Sequence, residues 1–197
     1  MSSRYHELVI EGPRGWALGF IQGFLRGRGV DGRLLDAEKE GFDCEPLREK
    51  IRELLHPAAE TSHLLVPEEL VPMVREALGD ADASARGLVL RHERPIGSAR
   101  FGFSCAAYSR VDGQRIRDLF ENLPEEVRLT AGTQFEETTD PEVQGPGLYA
   151  PAHGHEFKGE GGVEGALEGV LAIYRICRGE AMIRLGPAEL VPAEPTP

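Results

Sequence analysis

The sequence is poor in cysteine, has no long apolar run and carries a deficit of positive charge. Each shortage excludes a class of protein. Three cysteines (Cys44, Cys105 and Cys177) form no CxxC pair. An odd, scattered set of thiols argues against a disulfide scaffold and for a reducing, cytoplasmic compartment. The longest nearly apolar run, Trp16 to Leu25, is half the length needed to cross a bilayer, and no secretory signal pattern precedes it. Lysine and arginine number 22 against 33 acidic residues, for a net charge of −11. An acidic surface repels phosphate backbones, so nucleic acid is not an expected partner, and neither is a membrane. No GK[ST] phosphate loop, GxGxxG, EF-hand loop or nucleophile elbow occurs.

What is present is enough for a core. Apolar residues make up 41% of 197 residues, which suits two small domains. In the second half, Ala99, Phe101, Phe103, Cys105 and Ala107 alternate with more polar neighbours, the period of a half-buried strand. Ile116, Leu119, Phe120 and Leu123 lie on one helical face, and Val127 to Phe135 alternates again. Leu148 to Phe157 reads as a third strand, Gly161 to Cys177 as a helix and Ala181 to Leu185 as a closing strand. The order is β-α-β-β-α-β.

The first half repeats that order less cleanly. Leu8–Ile10 is a strand core, 15–27 a helix and 29–38 a weak strand. An additional helix covers 45–56. Ser62–Val66 is a strand, Leu70, Val74 and Leu78 mark a helix, and 87–91 is a last strand. The expected fold is therefore α+β: two tandem ferredoxin-like (βαββαβ) units at residues 1–95 and 96–186, with antiparallel sheets and helices on one face. Pro95-Ile96-Gly97 marks the boundary, and the proline-rich residues 187–197 are expected to form a flexible tail outside the core.

Local features suggest sites. Gly15, Gly19, Gly23 and Gly27 recur every four residues along the first helix, beside Trp16, Phe20 and Phe24. Each helix-interior glycine costs about 0.8–1 kcal/mol relative to alanine, so the stripe is expected to lie against another backbone, within the chain or across a homodimer. The turn Glu11-Gly12-Pro13-Arg14-Gly15 offers helix N-terminal amides and a guanidinium to a small anion. Arg100 and Tyr108 alternate along a strand and are further candidates for a small-molecule ligand. His153 and His155 stand two apart on a strand, with side chains roughly 7 Å apart on one face, a spacing that suits a shared divalent metal. Two functions of different class follow: a soluble binding or regulatory protein that self-associates and takes a small anionic ligand, or a metal- or histidine-dependent enzyme around His153 and His155.

Overall fold

The structure, a computed structural model, describes residues 4–107, 137–138, 153–167, 182–185 and 188–194. The chain divides into two compact units, residues 1–98 with 189–197, and residues 99–188. The helix and strand expected between Ile116 and Phe135 lie outside the described residues, as does Tyr108.

In the first unit, β1 (Tyr5–Glu11) leads into α1 (Trp16–Gly27), then the two-residue β2 (Leu35–Asp36) and β3 (Phe42–Asp43). A short α2 (Glu45–Lys50) and a 3-10 turn (Arg52–Leu54) stand where one longer extra helix was expected. The unit continues through β4 (Thr61–Pro67), α3 (Val71–Leu78) and α4 (Ala81–Ala85) into β5 (Val89–Ala107). Strand order is β2-β4-β1-β5, with antiparallel pairing throughout. Helices α1 and α3 are the two crossovers of this split arrangement.

Side-chain alternation sorts β1 and β4 between two faces. Leu8 and Ile10 pair across to Leu64 and Ser62. With Val66 they join Ala17, Ile21 and Leu25 of α1 and Val71, Val74 and Leu78 of α3 in one apolar cluster. The opposite face carries Glu7, Val9 and His63, and Val9 packs against Leu47 and Ile51 of the segment between β3 and β4. Both faces are thus covered, which is why β1 and β4 read as nearly continuous apolar runs.

Pro95-Ile96-Gly97, expected to mark the boundary between units, lies within β5, where Tyr5 pairs with Ile96 and His6 with Pro95, and the chain divides just after it, at Ser98. One sequence expectation is corrected here. The C-terminal segment is no free tail over 188–192: it forms β9 (Ala188–Pro192), which pairs with β3 and β5 and buries Ala188 and Leu190. Gly97 makes this contact possible, because a Cβ there would sit 3.1 Å from Ala193 Cα. The Ala193 N–H donates to the Pro95 carbonyl at 2.9 Å.

In the second unit, residues 99–107 of β5 pair antiparallel with β7 (His153–Gly161) and with β8 (Met182–Leu185). β6 (Glu137–Thr138) adds to β7, giving the order β6-β7-β5-β8. A helical turn at 163–167 follows β7, with Val163 and Ala166 buried. Among the described residues no helix is long and apolar enough to cross a membrane.

Candidate functional site

Among the described residues, the glycine stripe does not lie against backbone. Ala17, Ile21 and Leu25 turn the apolar arc of α1 to the core, which leaves the glycines on the outer side. A Cβ added at Gly15, Gly19, Gly23 or Gly27 would meet nothing within 4 Å among the described residues. This overturns the expectation of close packing inside the chain: the helix spends its glycines on an open face. Gly15 alone has a local conformational reason, since it caps α1 in the left-handed region at φ 79°.

The open face is a shallow groove of about 540 Å³. Trp16, Phe20 and Phe24 form one wall, and Asp80, Asp82 and Arg86 stand on the other. Trp16 is 52% exposed, which is unusual for a large aromatic side chain. The Arg86 guanidinium lies 5.8 Å from the Trp16 ring centre and 5.7 Å from that of Phe20. Arg28 covers Phe24 at 4.6 Å while pairing with Glu76 at 2.6 Å. These stacked cations hold the aromatic row in place beside the bare helix backbone.

The Arg14–Gly15 turn has already found an anion within the chain. The Arg14 backbone N–H donates to the Glu60 carboxylate at 2.6 Å. Its guanidinium reaches Glu38 at 3.4 Å. Glu38 also receives Arg48, whose other contacts are Glu45 at 2.7 Å and the Thr61 hydroxyl at 3.3 Å. Burial works to raise the Glu38 carboxyl, but Arg48 and then Arg14 outweigh it and hold the group below its ordinary value. An external anion at this turn would have to displace two carboxylates.

The remaining sequence candidates lie on the second unit's strands. Arg100 is exposed on β5, opposite Glu160. His153 and His155 both lie on β7, opposite Ala107 and Cys105 of β5. On its other side His155 stands opposite Glu137 of β6.

A second cluster was not expected from the sequence. His63 and Glu7 are fully buried, and the His63 Nδ1–H donates to Glu7 Oε1 at 2.9 Å. Arg94 donates to Glu7 Oε2 at 2.7 Å. Desolvation raises the Glu7 carboxyl, but the hydrogen bond from His63 and the charge of Arg94 bring it below the usual carboxylate range. Cys44, immediately before α2, is buried beside them, and its thiol donates to the Phe42 carbonyl at 3.8 Å. Here the legible signal was a charged residue at an inward position of a strand covered on both faces. Glu7 beside Leu8 to Ile10, and His63 beside Leu64 to Val66, both fit that description.

No protein-family profile matches the chain, and no curated protein sequence does either. Among solved structures, the small subunit of acetolactate synthase from Thermotoga maritima is similar at 10% identity, over 100% of both chains, with a TM-score of 0.42. A protein of unknown function from Galdieria sulphuraria is similar at 10% identity, over 94% of this chain and 98% of its own, with a TM-score of 0.29. At these values neither likeness assigns this chain a fold or a function.

Proposed function

We propose that the protein is a cytoplasmic binding or regulatory protein, built from two tandem ferredoxin-like units, that pairs with a second copy through the α1 groove. The strand orders β2-β4-β1-β5 and β6-β7-β5-β8 support the tandem reading. One observation carries the functional reading: the glycine face of α1 is open, beside an exposed Trp16. Two interior glycines lower helix stability by about 2 kcal/mol in total, a loss that close approach of another backbone would offset. The groove is also self-complementary in charge. Arg86 stands beside Asp80 and Asp82 along it, so the surface carries both signs of charge, as pairing with its own copy requires. Because Glu60 and Glu38 already occupy the Arg14–Gly15 turn, the groove is the surface we assign, ahead of that turn.

The test is molecular mass in solution at micromolar concentration. The parent chain should sediment as a dimer. Gly19→Leu/Gly23→Leu, which fills the groove without touching the core face of α1, should sediment as a monomer. A monomeric parent, or a variant that still dimerises, would sink the reading.

A second reading has its own observation. The register that sets Cys105 and Glu137 on either side of His155 supports a metal- or histidine-dependent site on the second unit's sheet. Metal uptake that disappears in His153→Ala/His155→Ala would favour it.

A further inference from the structure

We infer that Glu7, Cys44 and His63 form a binding site for a zinc-class divalent cation that ties the segment between β3 and β4 to the first unit's sheet. The three residues come from β1, the entry to α2, and β4, so no local sequence pattern announces them. They place a carboxylate oxygen, a thiol sulfur and an imidazole nitrogen within 4.8 Å of one another. A mixed oxygen, sulfur and nitrogen set suits zinc or cobalt, whereas magnesium and calcium take oxygen ligands.

The hydrogen bond within the cluster marks the position. His63 Nδ1 and Glu7 Oε1 stand 2.9 Å apart, joined by one proton, and a cation would take that proton's place between them.

A cation at this cluster would have to displace a proton that its surroundings hold tightly. Burial, followed by the carboxylates of Glu7 and Glu38, pushes the Cys44 thiol far above its ordinary value, so the metal-free cluster holds a neutral thiol. A divalent charge reverses that balance. On loading, the Cys44 S–H proton leaves to solvent, the His63 ring proton passes from Nδ1 to Nε2, and the thiolate sulfur, the Nδ1 lone pair and a Glu7 oxygen bind the metal. Arg94 neutralises the outer oxygen of Glu7 and keeps the carboxylate ionised for the cation. Three protein donors leave a fourth tetrahedral position for water. Because every donor is buried, the cation enters when the α2 segment opens or as the chain folds, and it stabilises the closed state.

The test uses the full chain in a Cys105→Ser/Cys177→Ser background, which leaves Cys44 as its one thiol. Metal-free protein is refolded with cobalt(II) as the spectroscopic stand-in for zinc. One equivalent should bind with a thiolate-to-cobalt charge-transfer absorption that zinc abolishes. Cys44→Ser should remove the band, while His153→Ala/His155→Ala should leave it intact. No uptake, or a band unchanged by Cys44→Ser, would overturn the assignment. So would a band lost with the His153/His155 pair, which would place the metal on the second sheet. The unmutated chain supplies a measurement that depends on no variant folding. Zinc at 100 times its Kd should slow alkylation of Cys44 roughly 100-fold, as the open state is depopulated. An unchanged rate at Cys44 would refute the site.

Discussion

On one face of the first unit's sheet, Leu8, Ile10, Leu64 and Val66 meet the apolar residues of α1 and α3. On the other, Val9, Leu47 and Ile51 share the interior with Glu7, His63 and the inward arm of Arg94. The first face is held by apolar area alone, which is non-directional and tolerates sliding. The second requires each polar atom to meet a specific partner, because an unpaired buried charge is severely destabilising. The helix side therefore supplies bulk stability, and the other side, covered by the insertion between β2 and β4, fixes which segment docks and in what position.

The largest effect should come from breaking the polar face. Glu7→Ala leaves His63 and Arg94 facing each other across a vacancy and should destabilise the metal-free protein by about 3–5 kcal/mol. Leu64→Ala on the apolar face removes fully buried methyl groups at a cost of about 2–5 kcal/mol. The comparison is sharpened by Glu7→Leu/His63→Leu, measured by chemical denaturation. If the polar face works through specificity, this pair should recover part of the loss of Glu7→Ala. No such rescue is available to Leu64→Ala. A double variant worse than Glu7→Ala would show that the buried ions themselves stabilise the fold.

These two faces also differ in how legible they were. Leu70, Val74 and Leu78 of α3, and Leu8 and Ile10 of β1, announce themselves by period, because a single solvent boundary dictates the spacing. Glu7 and His63 are 56 residues apart, and only the register of β1 against β4 brings them together. Pro95 and Gly97 look like punctuation, yet both lie within β5: one accepts the Ala193 N–H through its carbonyl, and the other makes room for the Ala193 backbone. The same long-range partner hides β9, whose composition suggests a tail. The glycines of α1 were legible as an anomaly, but spacing alone could not say whether backbone or open space lay beside them.

Removing β9 should have the next largest effect. Leu190 is 4% exposed, and β9 bridges β3 of the insertion to β5 of the sheet. Deleting residues 188–197 should cost about 2–3 kcal/mol from lost apolar burial, a fall in Tm of about 5–10 °C. An unchanged Tm would mean that the insertion side does not depend on its C-terminal strap.

Acid should separate two surface pairs that border the two faces. Glu38 meets Arg48 and Arg14 beside the insertion, and Glu93 meets Arg75 of α3 and His6 beside the helices. Burial raises both carboxyls, but their basic partners bring each below the ordinary value of 4.5. A depressed carboxylate stabilises the fold above its unfolded pKa, and that contribution is lost as pH falls through the lowered folded value. Glu38→Gln and Glu93→Gln should each be less stable than the parent at pH 7, and the difference should vanish in acid. A gap that persists at low pH would assign the loss to packing instead of charge.

The smallest effect should carry the opposite sign. Gly23→Ala adds a methyl group to the outer face of α1, where nothing lies within 4 Å of the new Cβ. The helix gains about 0.8–1 kcal/mol from reduced backbone freedom in the unfolded chain. Gly19→Ala should behave alike, and sites one turn apart with no shared neighbour should add nearly in full. Measured well below the concentration of self-association, the double variant should therefore be more stable than the parent by about 2 kcal/mol. Measured where the parent is dimeric, the gain should shrink, because each methyl group also holds the partner helix away. A gain that is equal at both concentrations would mean that nothing approaches the groove closely. The open stripe would then be a plain loss of stability on the face of α1 turned away from the apolar core.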